Sequence, residues 1–117
     1  MSRDYKLFLQ DILEAAQHVE EFVKDMGFDD FGQDEKTSSA VIRKLEVIGE
    51  AVKNIPTGIR NAYPHVKWKD FAGMRDRLIH GYFGVDLNLV WNTAAIIIPK
   101  LVIDISRIIL DLGSEKT

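Results

Sequence analysis

The sequence predicts an all-α protein, an up-and-down bundle of four main helices with a possible short fifth. Three observations lead there. Apolar residues recur at steps of three and four along nearly all of the 117 residues. Glycine and proline fall where those runs stop. The last run is apolar over more than one face, so it is either central to the bundle or shared with a second subunit.

The elements follow in order. Tyr5, Phe8, Ile12, Ala15, Val19, Phe22 and Met26 form a seam that predicts a first helix stopped by Gly27. A short loop comes next, with Phe28 and Phe31 expected to pin it to the core. The second helix is predicted from about Thr37 to Ile55 on Val41, Leu45, Ile48, Val52 and Ile55, closed by Pro56. Residues 56–64 read as a connector with room for one helical turn. A third long helix runs from Trp68 to about His80 and ends near Gly81 and Gly84. Asp86 is a good N-cap for the last helix, which carries Leu87, Val90, Ala94, Ile97, Leu101, Ile105, Ile108 and Leu112. Pro99 should kink it by removing one intrahelical hydrogen bond.

Composition narrows the function classes. The length suits a single domain, residues 1–117, with a core of its own. With no cysteine there is no disulfide, thiolate metal site or cysteine nucleophile. No export or transit peptide is visible, and no apolar run reaches bilayer length, so a cytoplasmic protein is expected. The formal net charge of −3 hides an asymmetry. Residues 1–42 carry a balance of −6, whereas 43–77 carry +4. A positive segment in mid-chain suits a polyanion, although solvated lysines would give the same count.

That positive segment leads into RDRLIHGYF, residues 75–83. Arg75 lies inside the apolar stripe of its helix, four after Phe71 and three before Leu78. Burying a guanidinium is costly unless an anion meets it, and the expected anion is a phosphodiester rather than a neighbouring carboxylate. Asp76 and His80 are four apart, a spacing that lets a carboxylate orient an imidazole. Gly73 lies seven before His80 and leaves the wall beside the ring low. The plainer reading is that Arg75 snorkels and that Asp76 and His80 form an ordinary exposed pair.

Other constellations carry less. Glu14, His18 and Glu21 share a face, but no second helix supplies the Glu-x-x-His pattern of a di-iron bundle. No metal and no cofactor is called for. His65 reads as a loop residue near Lys67. On the second helix Arg43, Glu46, Glu50 and Asn54 form a polar ridge, read as an exposed face with an internal Arg43–Glu46 pair. Gly49 beside it is read as permitting close helix packing.

Taken together, VIRKLEVIGEAVKNIP (41–56), WKDFAGMRDRLIHGYFGVD (68–86) and the final helix with Trp91 resemble the HEPN superfamily. Within it, the chain resembles specifically the HepT-like toxins encoded beside minimal nucleotidyltransferase antitoxins. The resemblance implies a helical bundle that dimerises and a metal-independent ribonuclease whose two Arg/His motifs meet in an interfacial cleft. It implies Arg75 and His80 as catalytic residues and Tyr82 as the acceptor of AMP from the partner enzyme, which silences the toxin. In one respect the chain departs from the family. The slot after the arginine is commonly asparagine there, and Asp76 brings a negative charge to it.

Cutting RNA without metal needs a base for the 2′-hydroxyl, an acid for the leaving oxygen and a cation for the phosphoryl group. An ordinary imidazole titrates at roughly 6.5, so a histidine can serve either way near neutrality. One chain offers a single convincing histidine; a homodimer would offer two. The expected roles are therefore His80 as base or acid, Arg75 against the phosphorane, Asp76 holding the imidazole tautomer, and Arg77, Lys67 and Lys69 contacting RNA. Two other classes stay open: a non-catalytic nucleotide-binding or partner-binding subunit of a nucleotidyltransferase complex, and a helical dimerisation scaffold.

Overall fold

A computed structural model describes residues 4–81 and 84–114; among them are helices and connecting turns and no strand. Helix α1 (Tyr5–Phe22) starts where the Asp4 carboxylate accepts the Lys6 N–H at 2.9 Å. It buries Leu9, Ile12, Ala15, Ala16 and Val19. The helix stops a turn earlier than the seam suggests. Asp25 takes φ 64°, a left-handed conformation that Asp tolerates better than most residues, so the chain turns before reaching Gly27. Met26 is thus outside the helix.

The predicted loop is instead a short helix, α2 (Phe28–Gln33). The Asp30 carboxylate accepts the Gly27 N–H at 3.1 Å and so secures its first turn. Only Phe31 pins the segment: it is fully buried, with its ring 5.3 Å from that of Trp91, while Phe28 is exposed.

Helix α3 (Glu35–Lys53) carries the predicted core register, with Val41, Leu45, Ile48 and Val52 buried and Ile55 buried just beyond its end. Its N-cap is Asp34, whose carboxylate accepts both the Thr37 N–H at 3.0 Å and the Thr37 hydroxyl at 2.8 Å. Those bonds hold the Asp34 carboxyl below its ordinary range, the backbone N–H contributing most. Asp34 is depressed in the folded state, so its stabilisation is complete above the ordinary carboxylate pKa. It is lost as pH falls through the lower, folded value. Asp34→Ala is therefore expected to lower the melting temperature at pH 7 by more than at about pH 2.5, below the usual carboxylate range. Circular-dichroism melts at the two pH values check this; an equal drop at both would remove the charge from the cap's contribution.

The connector holds one short helix, α4 (Thr57–Ala62). Helix α5 (Trp68–Ile79) is anchored by the Trp68 indole N–H, which donates to the Tyr63 carbonyl at 3.0 Å. It buries Trp68, Phe71, Met74 and Leu78. His80 is its C-cap, and the chain leaves through Gly81 and Gly84; the latter sits at φ 143°, where a side chain would be strained.

The last rod is less regular than predicted. Asp86 caps α6 (Leu87–Asn92) by accepting the Asn88 and Leu89 N–H groups. A π-helical turn, Thr93–Ile97, then leads into α7 (Ile98–Ser114). The proline ring at 99 would clash with the carbonyl four residues back in a regular α-helix. The π turn widens the backbone there, and the Ile98 N–H reaches the Thr93 carbonyl. Thr93 is fully buried and satisfies its hydroxyl on the Leu89 carbonyl at 2.8 Å.

Helix α1 packs against α3 and α7, and α3 packs against α5. Helix α3 therefore lies between α1 and α5, and its polar edge faces the motif helix.

Candidate active site

Close approach of α3 and α5 builds the site. A Cβ added to Gly49 would lie 2.2 Å from the Arg75 Cβ and 2.7 Å from the Phe71 carbonyl oxygen. No side chain fits there. The glycine lets the aliphatic stem of Arg75 cross directly over α3, which explains how a guanidinium occupies a stripe position.

The head of Arg75 then meets carboxylates. Its Nη2 is 3.2 Å from Glu50 Oε2 on α3, and its Nη1 donates to Asp76 Oδ1 at 3.0 Å. Its Nε is buried and has no hydrogen-bond partner among the described residues. The expectation that a phosphodiester, rather than a neighbouring carboxylate, answers this cation is thus corrected: two carboxylates answer it. Both remain about half exposed, at 57% for Glu50 and 50% for Asp76. The pairing is consequently screened by water and open to competition from another anion.

Asp76 has a second partner. Lys53 Nζ donates to Asp76 Oδ1 at 2.6 Å. Lys53 first and Arg75 second hold the Asp76 carboxyl below its ordinary range. The predicted Asp76–His80 side-chain pair is not formed; only the His80 backbone N–H reaches the Asp76 carbonyl, at 3.2 Å. The geometric reason is that Asp76 leans toward α3, where two cations stand. The His80 side chain is exposed at the end of α5, and its imidazole has no hydrogen bond among the described residues. Nothing would obstruct a Cβ at Gly73, in keeping with a low wall on that side.

Beside Arg75 lies a groove of about 300 Å³ whose lining includes Asp11, Arg43, Glu46, Glu50 and Ile79. Arg43 and Glu46, both on α3, pair at 3.5 Å along its wall, as their spacing suggests. Lys67 and Lys69 are not at this place. They line a separate groove of about 650 Å³ together with Arg60, at the opposite end of α5. A twelve-residue helix puts that end roughly 18 Å from His80. Arg77 is exposed on α5 between the two. His65 is half exposed and 3.8 Å from Asp104 of α7, rather than near the motif. Tyr82 lies outside the described residues.

Sequence reasoning missed Glu50 and Lys53 as members of the site, reading the first as part of a solvated ridge. The signal was Gly49: a glycine inside a well-formed helix marks where another backbone comes close, and its neighbours then face that backbone.

An all-helical bundle that presents an arginine and an exposed histidine five residues apart on one helix defines a class, the HEPN-type domains. The chain belongs to the HepT-like family, described as ribonuclease HepT-like, whose model matches residues 12–108. Among its relatives is "Putative RNase MJ0125" of Methanocaldococcus jannaschii, 52% identical over 113 residues, 97% of either chain. "Putative RNase MJ1216" of the same organism is 50% identical over 97% of this chain and 93% of its own. "Probable ribonuclease HepT" of Thermococcus cleftensis is 50% identical over 86% of this chain and 92% of its own. No solved structure gives a significant match.

Proposed function

We propose that the chain is a metal-independent endoribonuclease, the toxin of a type VII-like toxin–antitoxin pair, acting as a cytoplasmic homodimer of one HEPN-like domain spanning residues 1–117. The observation that carries this reading is the pairing of family membership with the geometry of α5. The HepT-like match covers the whole motif helix, and that helix holds Arg75 at a groove while leaving the His80 imidazole exposed.

In this reading His80 moves a proton between the 2′-hydroxyl and the leaving 5′-oxygen, and Arg75 exchanges its carboxylates for the phosphoryl group. Asp76 does not orient the imidazole; it acts on Arg75. Lys67, Lys69 and Arg77 hold RNA away from the scissile bond. A second copy supplies the second imidazole. Support for a mate comes from α7, where Ile96, just before it, and Ile103 and Leu110 recur every seven residues at 67%, 66% and 69% exposure.

A minimal nucleotidyltransferase partner would silence the enzyme by moving AMP from ATP onto the Tyr82 hydroxyl, with pyrophosphate leaving. The added phosphate is an anion two residues from His80, and it competes for Arg75.

Intact-mass analysis of the protein made with and without its genomic neighbour tests the pairing. Addition of whole AMP units mapped to Tyr82, with loss of RNA cleavage, is the expected result. A chain that gains no mass and cuts RNA equally well in either preparation would exclude the partner's role. No helix of the described residues is long and apolar enough to cross a membrane.

A further inference from the structure

Four charged side chains alternate in sign along the α3–α5 contact: Glu50, Arg75, Asp76 and Lys53, joined by separations of 3.2, 3.0 and 2.6 Å. Their formal charges cancel. The order matters more than the total. Arg75 and Lys53 both reach the same Asp76 oxygen, Oδ1, and Lys53 has the shorter contact. Lys53 therefore competes with Arg75 for this carboxylate.

We infer that Lys53 is a positioning residue of the Arg75 site, which draws and neutralises Asp76 so that Arg75 can be given up to a phosphodiester. This rests on the part of the proposed function in which Arg75 takes the RNA phosphoryl group, and not on cleavage itself. Without Lys53, the Asp76 carboxylate would turn its full charge on Arg75 and repel an incoming phosphate, and the cluster would carry net negative charge. The role belongs to α3, outside the motif, and it exists only because Asp76 is an acid. Lys53 acts through Asp76 and not on the reacting atoms.

The dependence on Asp76 makes the idea separable from that of an ordinary surface lysine. Four proteins are compared: the native chain, Lys53→Met, Asp76→Asn, and the double variant. Cleavage of a short RNA gives kcat and KM. Fluorescence anisotropy with the 2′-O-methyl form of the same oligonucleotide, which cannot be cut, gives binding alone.

In the native background Lys53→Met should raise KM and weaken oligonucleotide binding roughly tenfold, the low end of what cleft charge does to a charged ligand, with kcat little changed. In the Asp76→Asn background the same substitution should cost less than about twofold, a coupling expected of groups in direct contact. Circular-dichroism melts confirm that all four fold, as expected for side chains this exposed.

Equal losses in both backgrounds, or a loss confined to kcat, overturn the inference while leaving the nuclease reading intact. Coupling in the binding data without cleavage by the native chain has the opposite meaning: Lys53 keeps its role and the nuclease reading fails. A native chain that neither cuts nor binds the oligonucleotide overturns both.

Discussion

Replacing His80 with alanine is expected to reduce RNA cleavage by roughly a hundredfold to ten-thousandfold, the usual contribution of a positioned acid or base. The fold should not change. The imidazole is exposed and makes no hydrogen bond among the described residues, and the helix end is closed by the His80 backbone N–H on the Asp76 carbonyl, which alanine preserves. Single-turnover cleavage of a labelled RNA, beside a melting curve, reads both quantities. Undiminished cutting by a clean His80→Ala preparation would take this residue out of the chemistry. Arg75→Ala gives a less clean result. It also leaves Glu50 and Asp76 without their shared cation and opens space over Gly49. Arg75→Lys keeps a charge but loses the fork that spans two carboxylates, so its activity separates charge from geometry.

How far the sequence foretold this molecule differs by element. The α3 core was legible because Val41, Leu45, Ile48 and Val52 follow one helical period, and burial alone decides that pattern. The end of α1 was not legible, since the apolar seam continues to Met26 while the backbone turns at Asp25. Periodicity reports which face would be buried, not whether the chain remains helical. Helix α2 escaped for a related reason: six residues cannot display a period, and its signal lay in the Asp30 cap. Pro99 was seen, but its effect spread backward into a π turn at Thr93–Ile97, which no residue pattern announces. The site was half legible. Arg75 and His80 stand out within one helix, whereas Glu50 and Lys53 join them only through contact between helices distant in sequence. A pair four apart suggested Asp76 with His80; tertiary charge from α3 won instead.

Gly49 offers the second large effect, and its expected sign opposes helix propensity. In an isolated helix, alanine in place of glycine gains roughly 1 kcal/mol. Here the new methyl would stand 2.2 Å from the Arg75 Cβ and 2.7 Å from the Phe71 carbonyl oxygen, a stem carbon and a main-chain atom. Neither can swing aside as the end of a long side chain could, so α3 and α5 must separate. Overpacking of this kind costs about 1–3 kcal/mol, and with main-chain collision the upper part of that range applies. Gly49→Ala should therefore be net destabilising by about 1–2 kcal/mol. Widening the contact also lengthens the Arg75–Glu50 and Lys53–Asp76 pairs, which both bridge these helices. RNA cleavage should fall along with stability, and the deficit should persist at temperatures where the variant is fully folded. Chemical denaturation and a cleavage assay well below the melting transition measure the two effects independently. A variant more stable than the native chain would mean that α3 and α5 approach less closely than this geometry requires, and the account of how Arg75 reaches its groove would fail with it.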